Sequence, residues 1–343
     1  MLMIYGAAGY TARLIVHELA RRGTPSVIAG RDEAALRAAA IPGEIRTFGL
    51  ADPSEIAAGL EGVTVLVNAT GRYSTTALPL VRGCLARGIH YLDLAGEVPE
   101  HALLLGLADE ARAAGVMLLP GVGFGVVPTE LAAVEAAQRL GARPARLEIA
   151  YETVGGASRG TLETVLRQIH QAGVQRRGGE LVAVRPGARR ARLAFGAGHT
   201  ALAITNPWRA DLVSAFVSVG SPDIETLASF PATARFLMAW PRFTSSWLGR
   251  RLVERTIAGA PAGPSEAERA AGRTRVLVHA VDGARRVAVA LHGPEAYDFT
   301  ARTAAAIAAR VLAGAAVPGF ATPSMVLPWP QLLALEGVAE VPA

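Results

Sequence analysis

Over the first 140 residues, short apolar runs alternate with segments whose apolar positions recur at helical spacing. The runs predict strands at Leu2–Tyr5, Ser26–Ala29, Ile45–Phe48, Val63–Asn68, His90–Leu94 and Val116–Leu119. Between them, "TARLIVHELARRG", "DEAALRAAA", "DPSEIAAGL", "ALPLVRGCLARG" and "EHALLLGLADEARAAG" read as helices. In the first, Leu14, Ile15 and Leu19 fall at helical spacing and Gly23 ends the helix. Such alternation predicts a doubly wound α/β domain, a parallel sheet covered by helices on both faces.

After Ala142 the pattern changes. "RLEIAYETV", "GELVAVR", "ARLAFGAG", "DLVSAFVSVG", "TRVLVHAV" and "RRVAVALHG" predict strands of a mixed, largely antiparallel sheet. "GTLETVLRQIHQAG" and "ATARFLMAWPRFTSSWLGRRLVERT" predict helices beside it, and "GAPAGPSEAERAAG", Gly259 to Gly272, predicts a mobile loop. A last helix, "YDFTARTAAAIAARVLAG", precedes the proline-broken tail "GFATPSMVLPWPQLL". The expected division is a dinucleotide-type domain at 1–140, a second α+β domain at 141–295, and a helix and tail at 296–343.

Composition narrows the chemistry. Of 343 residues, 51% are apolar and 18% charged, which suits a well-packed globular chain. There is no lysine, so neither a lysine Schiff base nor a Tyr-x-x-x-Lys relay is available. The net charge of +5 comes from scattered arginines, with one denser run, "RPGARRAR", that suits a hairpin. Nucleic acid is not an expected partner, because a basic balance alone describes solubility and field. Cys84 is the only cysteine, which excludes an intrachain disulfide and points to the cytoplasm, as does a start on the strand-like "MLMIY" without a leader pattern. "GVMLLPGVGFGVVP" is broken by glycine and proline and too short to span a bilayer. No metal-ligand spacing is present, so no metal is expected.

In "GAAGYTA", Gly6, Gly9 and Ala12 fit G-x-x-G-x-x-A between a strand and a helix. Gly6 permits a tight turn, Gly9 lets the backbone approach a pyrophosphate, and Ala12 lets helix and strand pack closely. Tyr10 and Thr11 fall at the helix N-terminus, whose N–H groups and dipole suit phosphate. An ordinary strand-to-helix turn reads the same way. The second strand ends at Gly30 and Arg31, where an NAD site would usually place an acid for the ribose 2′-hydroxyl. A guanidinium there suits a 2′-phosphate, so NADP(H) is expected over NAD(H), unless Arg31 is only a surface residue. Asp32 reads as a helix N-cap. Leu50 and Ala51 are expected beside the adenine, and Asp52 either accepts from its amine or caps the next helix. Ala69, Thr70 and Gly71 follow the fourth strand at the topological switch point and leave room for ribose and nicotinamide.

"IYGAAGYTARLI", "AGRD", "VNATGRYS", "GIHYLDLAGE" and "PGVGFGVVPTEL" follow the order found in saccharopine dehydrogenase-like oxidoreductases, and the chain resembles most the trans-acting enoyl reductase branch. The likeness continues through "GGASRGTLETVL", "GPSEAERAAGRTRVLVHAVDG", "GPEAYDFTA" and "PGFATPSMVL". The resemblance implies an N-terminal Rossmann domain, a nicotinamide cofactor, and a second domain that forms substrate-cleft and dimer contacts. It also implies a C-terminal helix returning to the Rossmann domain. The chain departs from the family where "GFDSVP" is common: Gly125 and Val126 stand in place of the acidic or polar pair.

The polar groups available for chemistry are Tyr73, Tyr91, Asp93, Glu97, His90, His170 and His199. Tyr73, Asp93 and Glu97 are the catalytic candidates. A carboxyl after the fifth strand can orient substrate or act as general acid, or it can simply hold the loop by accepting backbone N–H bonds. Tyr73 can donate to a substrate carbonyl or stack beside the nicotinamide. His170 can equally be an amphipathic-helix residue. Phe236–Leu252 mixes large apolar residues with arginines, as an acyl-cavity wall, a lid, a membrane contact or an interface helix would. The expected activity is NADPH-dependent transfer of hydride to a C=C or C=N bond of a small or acyl-bearing substrate in the interdomain cleft, by a homodimer. The rivals are an enzyme acting on an amino-acid imine, with Arg72 and Arg159 for substrate carboxylates, and a cofactor-binding scaffold without turnover.

Overall fold

A computed structural model describes residues 1–163, 172–230, 247, 251, 255 and 259–343. The chain forms two compact units, Met1–Leu131 with Tyr297–Leu335, and Ala132–Ala296 with Glu336–Ala343. Each is built around its own sheet.

The first unit is the doubly wound one. Its strands are β1 (Leu2–Tyr5), β2 (Ser26–Gly30), β3 (Ile45–Thr47), β4 (Val65–Asn68), β5 (His90–Asp93) and β6 (Met117–Leu119). All six expected strands are present, with ends shifted by at most two residues. The helices between them are α1 (Tyr10–Arg21), α2 (Glu33–Ala38), α3 (Pro53–Gly59), α4 (Tyr73–Arg87), α5 (Val98–Leu105) and α6 (Ala108–Ala113). The stretch "EHALLLGLADEARAAG" is two helices rather than one, because the chain breaks at Gly106 and Leu107. The sheet runs β6-β5-β4-β1-β2-β3, all parallel, and Gly319–Phe320 adds a seventh strand beside β6. β1 and β4 are wholly buried, as strands covered on both faces must be, so their polar ends stand out: Asn68 and Asp93 are fully buried at the tips of β4 and β5. Helix α7 (Val127–Leu140) then carries the chain out of the unit, and helix Ala296–Arg310 brings it back.

Within the first unit the returning helix is fastened to the loop after β6. Thr300 Oγ1 accepts from Phe124 N at 3.0 Å, and Thr303 Oγ1 donates to Val122 O at 3.0 Å. Glu130, fully buried on α7, accepts from both Ser324 N (3.0 Å) and Ser324 Oγ (2.7 Å).

The second unit is a mixed sheet of nine strands. They include β7 (Arg146–Val154), β8 (Gly173–Arg177), β9 (Glu180–Val184), β10 (Arg190–Ala194), β11 (Thr200–Thr205), β12 (Asp223–Ser229), β13 (Arg273–Asp282) and β14 (Arg285–Gly293), in the order β10-β11-β12-β7-β13-β14, with β8 joined to β12 and β9 to β8. Ala339–Val341 pairs with β14, so the last part of the tail belongs to this sheet. Among the described residues of this unit, only β12 and β7 run parallel. On one face Ala150, Leu227, Leu277 and Ala290 form an apolar row that packs against Leu193, Phe195 and Ala203 of the β10–β11 region. Charged residues flank it: Glu148 and Glu225 pair with Arg189, which comes from the basic run, and Glu152 accepts from Arg275 at 2.6 Å.

Two expectations fail here. "DLVSAFVSVG" is not a strand but the helix Asp211–Val219, ended by Gly220 at φ +77°. Its serines are spaced by four, and their hydroxyls bond back to Ala210 O and Ser214 O, which suits a helix and not an alternating strand. "GAPAGPSEAERAAG" is not all loop: Ser265 and Glu268 form a capping box that starts helix Glu266–Ala271. Residues 164–171, which include His170, and nearly all of Phe236–Leu252 lie outside the described residues.

Candidate functional site

The C-terminal ends of β1, β2, β4 and β5 carry most of the first unit's candidate residues. At the first of these ends Gly6 has φ +87°, a conformation open to glycine, and its N–H bonds Ala29 O at 2.8 Å. A Cβ on Gly6 would meet the Thr70 Cα at 2.9 Å, so the turn lies directly against the loop after β4. Gly9 N closes the turn onto Gly6 O at 3.0 Å. Gly9 is also the N-cap of α1, without a side-chain acceptor, and the first turn holds no acid. The first turn of α1 thus sets no carboxylate of its own against the helix dipole, an arrangement that favours an anion. Ala12 is fully buried under the turn, and Tyr10 sits edge-on to Tyr297 with ring centroids 5.3 Å apart. Thr11 follows in the first turn of α1. This cradle fits a dinucleotide pyrophosphate.

At the β2 tip, Gly30 leads to exposed Arg31. Beside it Tyr5 donates to Phe48 O at 3.0 Å, and their rings pack 4.9 Å apart. Burial raises the Tyr5 phenol above its ordinary value, and the charge of Arg31 works against that rise. Asp32 caps α2 by accepting from Ala35 N at 3.0 Å. Asp52 caps α3 by accepting from Ser54 N and Ser54 Oγ, each at 2.8 Å; these bonds hold its carboxyl below the usual range. Leu50 and Ala51 precede it in the loop, and Asp52 itself is exposed.

The tips of β4 and β5 are tied by a continuous chain of hydrogen bonds that links Thr70 to Asp93. Asn68 Oδ1 accepts from Thr70 N (3.2 Å) and Thr70 Oγ1 (2.9 Å), while Asn68 Nδ2 donates to Tyr91 OH (3.0 Å) and Thr76 Oγ1 (3.2 Å). Tyr91 OH donates to Asp93 Oδ2 at 3.0 Å. Asp93 Oδ1 accepts from Ala95 N (2.9 Å) and Gly121 N (3.1 Å), so this one carboxyl fixes the loops after β5 and β6. Burial pushes the Asp93 carboxyl up to about 7, with the nearby Glu97 charge adding to the rise. Glu97 accepts from Gly96 N at 2.8 Å.

Tyr73 opens α4 beside Ala69, Thr70 and Gly71 and is half-buried. Burial, then the charges of Asp93 and Glu97, raise its phenol well above its ordinary value and keep the proton on oxygen. Tyr73 is therefore a hydrogen-bond donor facing acidic neighbours.

Other candidates lie elsewhere. His90 starts β5, at the opposite edge of the sheet, and its Nδ1 accepts from Met117 N at 3.1 Å. His199 pairs with Glu152 at 2.7 Å in the second unit. Arg159 donates to Ala260 O at 2.8 Å, and Arg72 is exposed at the start of α4. Asn68, Thr76 and Glu130 were not singled out from the sequence. The available signal for Asn68 was a polar residue closing the apolar run "VLVN". Gly125 lies against the loop after β5: a Cβ there would be 3.6 Å from the Gly96 Cα, so at this position the departure from "GFDSVP" replaces a side chain with a close backbone approach. Among the described residues no group of His, Cys, Asp and Glu is placed to hold a metal, and no helix is long and apolar enough to cross a membrane.

The glycine cradle, the parallel sheet and the switch-point loops define a dinucleotide-binding domain. Residues 2–119 match the family model of the saccharopine dehydrogenase NADP-binding domain. That match covers the N-terminal domain alone, about a third of the chain. The chain is 26% identical over 156 residues to a human saccharopine dehydrogenase-like oxidoreductase, covering 39% of this chain and 36% of that protein. It is 26% identical over 140 residues to a trans-acting enoyl reductase of Mycobacterium bovis, covering 38% of this chain and 34% of that protein. The matches thus span about a third of the length of these relatives. The fold agrees over nearly the whole chain with saccharopine dehydrogenase (L-Glu forming) from Saccharomyces cerevisiae: TM-score 0.64, 14% identity, 99% of each chain. It agrees similarly with a homospermidine synthase from Legionella pneumophila solved with NAD: TM-score 0.63, 12% identity, 97% of this chain and 88% of that one.

Proposed function

We propose that this protein is an NADPH-dependent reductase that adds hydride to a polarised C=C or C=N bond of a small or acyl-bearing substrate. One observation carries the reading: an anion-ready glycine cradle stands beside a β2 tip that presents Arg31 and no strand-tip carboxylate. Gly6, Gly9 and the first turn of α1 would hold the pyrophosphate, Arg31 the 2′-phosphate, and Ala69, Thr70 and Gly71 would border the nicotinamide ribose. The bound nicotinamide supplies the hydride. The chain's own residues orient and protonate. Asn68 holds Thr70 in place, and Asp93 fixes the loops after β5 and β6. Tyr73, kept protonated by burial and by its acidic neighbours, donates to the substrate heteroatom on which charge develops.

The imine reading is weaker because Arg159 is committed to the Ala260 carbonyl, leaving Arg72 alone for substrate carboxylates. The test is NADPH oxidation over a panel of enoyl thioesters and cyclic imines, repeated with Tyr73→Phe. Turnover of at least one class is expected, with kcat lowered about 100-fold in Tyr73→Phe and NADPH affinity unchanged. NADPH binding without turnover on any member would instead establish the scaffold reading.

A further inference from the structure

The second unit contains a buried polar cluster that its own fold leaves short of donors. Asn206, at the end of β11, is 6% exposed, and Asp211, the first residue of helix Asp211–Val219, is fully buried. Asn206 Nδ2 donates to Tyr151 OH at 2.8 Å, but Asn206 Oδ1 has no donor. Arg209 directs both Nε and Nη2 to the same oxygen, Asp211 Oδ2, each at 2.9 Å, and Asp211 Oδ1 has no donor. Both bare oxygens lie around one ring: Arg209 stacks over Tyr151 at 4.4 Å, and the Asp211 charge is felt at the Tyr151 hydroxyl. Tyr151 itself is half-buried, while the two bare oxygens beside it are closed to solvent.

A buried acceptor without a donor is destabilising, more so when charged, so two in one run of six residues call for an occupant. Charge decides its kind. Arg209 already neutralises Asp211, so a cation would leave an uncompensated buried charge and an anion would face the bare carboxylate oxygen. We propose that Asn206 and Asp211 form a binding site for an uncharged donor group, a hydroxyl or primary carboxamide of a small ligand, seated beside Tyr151. The site lies wholly in the second unit, so its failure leaves the cofactor reading untouched.

The test is saturation-transfer NMR on the full chain with four probes of one size: propionamide, 1-propanol, propylammonium and propionate. Transfer is expected to propionamide and propanol and not to the two ions. Asp211→Asn, which turns the bare acceptor into a donor, and Asn206→Leu, which removes the other acceptor, are each expected to weaken binding about tenfold or more. Circular dichroism establishes which variants fold, and Asn206→Leu carries the comparison if Asp211→Asn does not. The proposal is overturned if neither neutral probe binds the unaltered chain, if the ions bind equally well, if the folded variants bind undiminished, or if crystals soaked in propionamide show only water on the two oxygens.

Discussion

Replacing Asp93 by Asn removes a buried group whose titration spans the neutral range while keeping an oxygen for Ala95 N and Gly121 N. Burial lifts this carboxyl from its ordinary 3.8 to about 7. A difference of that size corresponds to about 4 kcal/mol between the protonated and ionised forms in the folded chain. Because the folded state holds the proton more tightly than the unfolded chain, the contribution is complete below the unfolded value and is lost as pH rises through about 7. Between about pH 5 and about pH 8 the unaltered protein therefore loses roughly 2–3 kcal/mol that Asp93→Asn does not lose. Urea unfolding followed by circular dichroism at the two pH values measures it. Glu97 is present in both proteins, so comparing their pH-dependent losses isolates Asp93. Equal losses in the two proteins would refute the reasoning, and a smaller loss in the unaltered protein would reverse its sign.

Gly6→Ala forces a Cβ to 2.9 Å from the Thr70 Cα at φ +87°; it is expected to lower stability by about 1–3 kcal/mol and abolish NADPH binding, read by thermal unfolding and titration. Tyr91→Phe breaks the link between Asn68 and Asp93, with an expected loss of about 1–3 kcal/mol. Because the Tyr91 bond lowers the Asp93 carboxyl, its removal is also expected to move the pH-dependent loss to higher pH. Glu130→Gln weakens the anchor on Ser324 and is expected to lower the unfolding midpoint by an amount equivalent to about 1–3 kcal/mol.

The first unit was legible because fully buried parallel strands appear as unbroken apolar runs between glycine and polar punctuation, and the helices between them keep a single period. The second unit was less legible. β8, β11 and β12 lie in stretches such as "GVQRR" and "DIETLAS", where polar residues are buried or half-buried, so alternation does not mark them. Helix Asp211–Val219 reads as a strand when Val and Phe are weighed as local preference, because its burial is set by tertiary packing. The Ser265–Glu268 box was visible as S-x-x-E but lay in a stretch dominated by glycine and proline. At the candidate site, the glycine turn and the β2 tip could be placed from spacing alone. The Asn68–Tyr91–Asp93 chain could not, since its members are 23 and 2 positions apart and meet only through parallel pairing of β4 with β5.

The proposed preference for NADPH over NADH rests on Arg31, and fluorescence titration of the unaltered protein and Arg31→Ala with NADPH and NADH tests it directly. The account predicts tighter binding of NADPH by the unaltered protein, weakened by about 10- to 100-fold in the variant, with NADH affinity changed by no more than about twofold. Equal affinity for the two cofactors before the substitution, or a parallel loss of both after it, would contradict the account.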